Sequence, residues 1–252
     1  MSMMLSLSFH AWNHARQAIK DGRSADALRW LEQVATAAEL TSEELAEAHR
    51  LAAGLLLNKA RFAKARRHLR AADGLEPDHA GTHFQMGLAF EGDPYGCDRR
   101  AAKAFRRAIK LDPSHSLSWA HLARSAVRIH RDSLAKAAIR TATQLAPTDA
   151  RVLSLIVETL RESGRLKAAL RIVTKARFLA PHDAEVLAVW NRVRFEMARA
   201  AQHAKRTPKT TTSPHVLPFV RIVDAAGHKR VVRRDMGGVL SGPHVMRMRR
   251  DS

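Results

Sequence analysis

The chain has 252 residues with a formal net charge of +19, which favours anionic partners without selecting one of them. Its single cysteine excludes an internal disulfide framework and fits a reducing, cytoplasmic compartment. No segment approaches the roughly 18 apolar residues of a membrane span, and no basic leader precedes the short apolar run at residues 3–9, so we expect neither a membrane span nor a secretory signal.

Four prolines recur at a nearly constant interval. Pro77, Pro113, Pro147 and Pro181 each end a Leu-x-Pro pattern, and their spacings are 36, 34 and 34 residues. A period of this length is typical of stacked helix-turn-helix repeats. Proline lacks a backbone donor and disfavours helix in the residue before it, so each proline is predicted to end a second helix.

Within each period, apolar residues keep fixed places before the proline. Alanine stands twelve and five residues before it, and a larger apolar residue stands eight before it. These spacings place all three on one helix face, where the alanines let a neighbouring helix approach closely. The residues are Ala65, Leu69 and Ala72; Ala101, Phe105 and Ala108; Ala135, Ile139 and Ala142; and Ala169, Val173 and Ala176.

In chain order, the pattern predicts helix pairs near 8–45, 46–79, 80–115, 116–149 and 150–183. The first pair lacks the proline, but Gly22 fits its turn, and Thr41 followed by acids supplies a capped start for the next helix. A single helix over 184–203 follows. In it, Asn191 and Arg194 replace the residues that would receive a further helix, as in a terminal capping helix.

The first helices complete the pattern. Trp119, Leu122, Ala123 and Ala126 occupy places that the other pairs fill with comparable residues. Over about 45–181 the chain resembles the tetratricopeptide repeat family, whose 34-residue unit has a Trp-Leu-Gly-Tyr first helix and an Ala-Phe-Ala-Pro second helix. One unit has the tryptophan, one has the glycine and none has the tyrosine. The resemblance implies an all-α, right-handed solenoid of about five repeats with a C-terminal cap and a non-catalytic role as a protein-binding scaffold.

The resemblance also implies a concave groove lined by the first helices. When the ligand-facing positions of the family are mapped onto this chain, several of them are arginines. The planar guanidinium group of arginine can bind a carboxylate through two parallel hydrogen bonds. The predicted ligand is therefore an acidic or carboxylate-ended protein segment, although a helical arginine can also serve only solvation. The candidate partner-binding residues are Arg16, Lys20, Arg50, Asn58, Phe84, Leu88, Arg124, Arg128 and Arg192.

The second helices carry a basic column that the resemblance places on the outer side. It supports a second hypothesis, association with nucleic acid through this column and the C-terminal tail. No aromatic residue interleaves the column, so a solvated face is the favoured interpretation. The column comprises Arg66, Arg67, Arg70, Lys103, Arg106, Arg107, Lys110, Lys136, Arg140, Arg171, Lys175 and Arg177.

No catalytic, cofactor or metal site is predicted. His10 with His14, and His79 with His83, have a spacing that can bind zinc, but neither pair has a further ligand nearby. Cys97 lies in a turn near a helix start and two arginines, an environment that activates thiols. Without a histidine-and-acid partner, a plain loop cysteine is the favoured interpretation.

Residues 204–252 form a basic tail. It begins with a Pro/Thr-rich linker and contains apolar segments at 216–223 and 231–232 that could pair as a short hairpin, while the rest is predicted to be unstructured. The apolar segment supports a third hypothesis, an accessory subunit that joins a larger complex through its tail. The groove hypothesis is the leading one.

Overall fold

The structure is a computed structural model that describes residues 2–36, 40–206, 219–223 and 229–233. The chain divides into two compact units, Met1–Ala201 and Gln202–Ser252. The helices of the described residues are α1 (Ser2–Lys20), α2 (Ser24–Val34), α3 (Ser42–Asn58), α4 (Phe62–Leu75), α5 (Ala80–Glu91), α6 (Asp98–Leu111), α7 (Ser116–Arg128), α8 (Asp132–Leu145), α9 (Ala150–Glu162), α10 (Leu166–Leu179) and α11 (Ala184–Arg206).

The first ten helices pack as five consecutive pairs, from α1 with α2 to α9 with α10. Each pair also contacts the next one. The helix α11 follows the last pair as a single helix. The predicted all-α solenoid of five repeats and a capping helix is confirmed.

The alanines at the fixed places before each proline lie where adjoining helices meet. All eight are at most 1% exposed, and the larger residues between them, Leu69, Phe105, Ile139 and Val173, are buried as well. Small side chains let the helix backbones approach, while burial of each larger side chain supplies roughly 1.5–3 kcal/mol. The predicted packing face of the second helices is confirmed.

One contact inside the third pair requires glycine. Gly87 of α5 lies against the ring of Phe105 in α6, and a Cβ added at Gly87 would stand 2.4 Å from Phe105 Cε1. The ring is fully buried, so it has little room to retreat. This close approach explains a glycine in the middle of a helix, where it otherwise costs about 1 kcal/mol relative to alanine.

The turn inside four of the pairs passes through the left-handed backbone region. Gly22 and Gly164 have φ of 71°, and Ala60 and His130, at the equivalent places, have φ of 54° and 57°. Glycine adopts this region without steric cost, whereas other residues are strained there by roughly 1–2 kcal/mol. Two of the turns therefore hold a strained residue.

The prolines end the second helices as predicted. The helices α4, α6, α8 and α10 each end two residues before a proline, at Leu75, Leu111, Leu145 and Leu179. Two residues after each proline, a side chain caps the next first helix by accepting backbone N–H groups. These capping residues are His79, His115, Asp149 and Asp183. Thr41 opens α3 through a capping box with Glu44.

Two strands occur in the second unit. The strands β1 (Phe219–Val223) and β2 (Lys229–Arg233) pair antiparallel, with Phe219 opposite Arg233 and Val223 opposite Lys229. The short hairpin that the tail could form is thus present. The predicted linker over 207–218 and the basic end over 234–252 lie outside the described residues.

Candidate protein-binding groove

The nine candidate partner-binding residues all lie on first helices or on the capping helix. Arg16 and Lys20 lie on α1, Arg50 and Asn58 on α3, Phe84 and Leu88 on α5, Arg124 and Arg128 on α7, and Arg192 on α11. The first helices of neighbouring pairs contact each other directly, α3 with α5 and α7 with α9. Because neighbouring repeats lie closest on the inner side of a curved solenoid, we take the first helices as the inner row. We call the surface of α1, α3, α5, α7, α9 and α11 the inner groove, and the surface of the second helices the outer face.

Two arginines of α7 converge on one carboxylate of α9. Arg124 Nη2 lies 3.2 Å from Glu162 Oε1, and Arg128 Nε lies 3.4 Å from Glu162 Oε2. Arg128 Nη1 also lies 3.7 Å from Asp98 Oδ1. Burial alone would lower the pKa of Arg128, but its hydrogen bond to Glu162 and the nearby carboxylates outweigh burial and raise that pKa. Both guanidinium groups thus lie beside one shared carboxylate.

Arg124 keeps one donor without an acceptor. Its Nε–H is buried and has no hydrogen-bond partner among the described residues. A buried unpaired donor costs about 1–3 kcal/mol, so the side chain gains free energy when it turns to an acceptor. A carboxylate that binds a guanidinium in the bidentate manner takes two parallel N–H groups together. Arg124 therefore presents a carboxylate fork that is only half filled.

The N-terminal part of the groove is more fully paired. Arg16 Nη2 lies 3.4 Å from Glu47 Oε1, and Arg50 Nη1 lies 2.5 Å from Glu76 Oε2. Only 13% of the Arg50 side chain is exposed, so this arginine is engaged within its own repeat. Lys20 and Asn58 are exposed and remain open to a ligand.

The two apolar candidates belong largely to the core. The ring of Phe84 packs edge-on against His115, with centroids 4.7 Å apart, and lies 6.0 Å from the ring of Phe105. Leu88 packs against the same core cluster. Both residues are partly exposed, so they form the floor of the groove and not a deep pocket.

Two acids near these residues were not predicted as part of the site. Glu162 is the last residue of α9, and Arg128 is the last residue of α7, so the two occupy equivalent positions in successive repeats. This equivalence could have predicted that they pair. Glu91 lies 2.6 Å from His121, and its side chain is only 7% exposed. Glu91 and His121 occupy different positions within their repeats, so a comparison of equivalent positions could not have predicted this contact.

The last helix carries the ninth candidate. Arg192 is exposed on α11. Its charge helps to lower the pKa of Glu158, which the hydrogen bond from Arg161 lowers most. Nearby, the guanidinium groups of Arg177 and Arg194 lie 4.0 and 4.5 Å from the centre of the Trp190 ring.

Comparison with known proteins agrees with this geometry. No family model matches the chain. The tetratricopeptide repeat-containing protein trd-1 of Caenorhabditis elegans is 32% identical over 104 residues, which are 41% of this chain and 13% of that protein. The match thus spans a small part of the length of that relative.

Solved structures share the fold at low sequence identity. TTC0263, a thermophilic TPR protein of Thermus thermophilus, has a TM-score of 0.57 and 18% identity over 75% of this chain and 99% of its own. PilF of Pseudomonas aeruginosa has a TM-score of 0.56 and 14% identity over 80% and 89%. YrrB, described as a TPR protein with an unusual peptide-binding site, has a TM-score of 0.52 and 15% identity over 71% and 89%.

The chain thus has the tetratricopeptide repeat fold, and 104 of its residues are similar to a protein described as tetratricopeptide repeat-containing.

The positive charge of the helical array lies mainly on the outer face. The second helices α4, α6, α8 and α10 carry 16 basic and 3 acidic side chains. The first helices of the same pairs, α3, α5, α7 and α9, carry 5 basic and 6 acidic side chains. A ligand in the inner groove is therefore selected by individual groups and not by a strong field.

Two expectations about the outer basic column were wrong. Arg66 does not face outward, because it stands beside the buried Ala65: its Nη1 donates to the carbonyl of Ala89 at 2.9 Å and pairs with Asp93 at 2.7 Å. An aromatic residue does adjoin the column. Phe178 of α10 is 86% exposed, because its helical position continues the outward stripe of basic residues.

Other residues singled out in the sequence contribute to the structure. His79 caps α5, and the ring of His83 lies 3.0 Å from the carbonyl oxygen of Pro77. His14 stacks on Trp30, with ring centroids 4.9 Å apart, and Cys97 is exposed just before α6. Within the described part of the chain, no group of three metal-ligating side chains occurs and no helix is long and apolar enough to cross a membrane.

Proposed function

We propose that this protein is a non-catalytic scaffold whose inner groove binds an acidic or carboxylate-ended segment of a partner protein at Arg124 and Arg128. The observation that carries the proposal is the buried Nε–H of Arg124, which has no acceptor among the described residues and lies in a cluster with a second guanidinium. A carboxylate of the partner supplies the missing acceptor.

Binding would change the ion-pair partner of Arg124. In the free protein this arginine uses one Nη group, which faces Glu162. A ligand carboxylate would take Nε and Nη together in two parallel hydrogen bonds, and Glu162 would stay with Arg128. The two arginines face Glu162 and Asp98, so the ligand carboxylate competes with these internal acids and gains by filling the free Nε–H of Arg124. Hydrogen bonds to charged groups contribute about 1.5–3 kcal/mol, enough to favour acidic over neutral segments about tenfold or more.

The surroundings of the two arginines suit an extended chain. Leu117 and Val127 are half-buried on α7, while Lys20 and Arg192 are exposed on the first and last inner helices. This combination offers apolar contacts near the centre and cations toward the ends. YrrB, a solved structure with the same fold, is described as having a peptide-binding site, which supports the view that this fold accommodates a peptide.

Fluorescence anisotropy tests the proposal with a labelled acidic peptide of about ten residues, its C-terminus either free or amidated. The double variant Arg124→Gln with Arg128→Gln should weaken binding about tenfold or more. The matched control Arg106→Gln with Arg140→Gln removes the same charge from the outer face and should leave binding unchanged. Equal losses in the two variants would mean that binding follows net charge, and would contradict the proposal.

A second pair of variants tests the arginine fork itself. Glu162→Gln removes the internal competitor of the ligand carboxylate and should tighten binding. Arg124→Lys keeps the charge but lacks the planar fork, so it should weaken binding. Circular dichroism checks that both variants keep the helical fold. Unchanged affinity in both variants would show that Arg124 does not receive the ligand.

A further inference from the structure

One set of outer cations recurs at fixed places in successive repeats. Arginine stands seven residues before Pro77, Pro113 and Pro147, and a basic residue stands ten before Pro77, Pro113 and Pro181. All six are exposed, and none has an ion-pair partner among the described side chains. We call this set the outer ridge; it comprises Arg67, Arg70, Lys103, Arg106, Arg140 and Arg171.

The few acids near the outer face are engaged by other cations. Arg107 lies 2.8 Å from Asp78, and Arg165 lies 2.8 Å from Asp132. Asp93 likewise pairs with the inward-facing Arg66. The inner arginines thus have internal counter-ions, whereas the outer ridge, among the described residues, is a row of like charges without them. Such a row attracts anions.

One exposed aromatic ring accompanies the outer ridge on α10, and a second lies in the turn before α6. Phe178 is 86% exposed, and it follows Arg171 by seven residues and Lys175 by three, on the same helix face. Tyr95 is 98% exposed in the turn before α6, close in sequence to the exposed Arg99. Phenylalanine is among the residues most often buried, so a ring left almost fully in water beside cations offers a free stacking surface.

We propose that the outer ridge binds single-stranded nucleic acid, with its cations on the phosphates and with Phe178 and Tyr95 stacked on bases. A basic surface that tracks the backbone, combined with aromatic rings that stack on successive bases, is the chemistry of single-strand binding. This proposal is independent of the inner groove, because the two surfaces belong to different rows of helices.

The aromatic rings decide between the anionic partners that a basic face attracts. In a duplex the base faces are already stacked on one another, so Phe178 and Tyr95 would find no partner there. An anionic membrane would favour a continuous apolar stripe, but the outer side of α10 carries cations on the turns before Phe178. Single strands alone use both the cations and the rings. Because every base has a stacking face, the binding is tolerant of sequence.

The salt dependence of binding has an expected size. Each phosphate contact with a single strand contributes about −0.7 to the slope of log K against log salt, so six contacts give a slope of about −4. The triple variant Arg70→Gln, Arg106→Gln and Arg140→Gln should reduce the steepness by about 2. A matched triple variant of exposed arginines on the inner helices α9 and α11, Arg151→Gln, Arg161→Gln and Arg199→Gln, should leave the slope unchanged. The tail is present in both proteins, so its contribution cancels.

Anisotropy titrations of the full chain with labelled oligo-dT of about 30 nucleotides test the proposal. Phe178→Leu retains an apolar side chain but removes the ring, and should weaken oligo-dT binding about fivefold or more. The same substitution should leave heparin binding unchanged, since heparin has no bases to stack. A duplex of equal length and vesicles rich in phosphatidylserine should bind less tightly than oligo-dT.

Three results would overturn the inference. The first is no oligo-dT binding at low salt. The second is an equal change of slope in the inner and outer triple variants, which would make the interaction one of net charge. The third is tighter binding of the duplex or vesicles together with indifference to Phe178→Leu, which would identify a different anionic partner. All substituted side chains of the outer ridge are exposed, so the variants should keep the fold, as circular dichroism can verify.

Discussion

Replacing Gly87 with alanine should destabilise the repeat array, although alanine is the better helix former. The added Cβ would lie 2.4 Å from Phe105 Cε1 and 2.6 Å from Cδ1, whereas carbon atoms in ordinary contact are about 3.5–4.0 Å apart. Overpacking of a buried contact costs about 1–3 kcal/mol. Because the added Cβ would stand far inside contact distance of three ring atoms, the upper part of that range, about 2–3 kcal/mol, applies. The higher helix propensity of alanine offsets about 1 kcal/mol of it, so we expect a net loss of about 1–2 kcal/mol.

A double-mutant cycle with Phe105→Leu isolates this contact. Phe105→Leu alone should be destabilising, because it leaves a cavity in the core. In the combined variant, the alanine methyl group fills part of that cavity. The combined loss should therefore be smaller than the sum of the two single losses by about 1 kcal/mol or more. Urea unfolding followed by circular dichroism measures all four proteins. Additive losses, or a Gly87→Ala protein as stable as the unmodified one, would refute the close contact.

Three further predictions concern local stability and pH. Ala60→Gly should raise the free energy of unfolding by up to about 1 kcal/mol by removing left-handed strain, and Gly164→Ala should lower it by about as much; unfolding midpoints that do not move would contradict the turn geometry. Thr41→Ala removes the N-cap of α3 and should cost about 1 kcal/mol, with faster hydrogen exchange at Glu44 as the local readout. His49 and His68 face each other with Nδ1 atoms 3.0 Å apart, and burial lowers the pKa of both below 6.5, helped at His49 by the charge of His68. Because the unfolded chain binds these protons more readily, stability should be full above about pH 6.5 and fall as the pH drops below it. His68→Gln should flatten that fall in urea titrations at about pH 7.5 and about pH 5.5, and an unaltered fall would assign it to other groups.

The repeat architecture was predictable because its determinants are local and periodic. The alanines around Leu69 and Phe105 stand at fixed distances from a proline, and both helix packing and helix termination depend on that spacing alone. The capping box at Thr41 was visible for the same reason, since donor and acceptor lie within four residues of each other. The left-handed backbone of Ala60 and His130 could not be predicted from their residue types. Only their equivalence to Gly22 and Gly164 in the repeat indicates it.

The pairing of charged side chains could not be predicted from the sequence. Arg128 meets Glu162 across 34 residues, and Arg66 meets Asp93 across 27. Long side chains have many rotamers, so such contacts depend on the exact offset between neighbouring repeats. Position within the repeat correctly placed Arg124 on an inner helix but could not reveal its unfilled Nε–H. Residue type likewise could not predict that the Phe178 side chain is exposed to solvent, because phenylalanine is more often buried.

The arginines that contact Trp190 affect the apolar surface at the C-terminal end of the repeat array. An open stack of repeats that finishes in a bare apolar surface can accept the start of a second molecule and grow head to tail into fibres. Here Arg177 and Arg194 cover the indole ring that the next repeat would otherwise bury. A molecule that tried to extend the stack would have to strip water from two cations and displace them from the ring. The two arginines thus shield part of the apolar surface of α11.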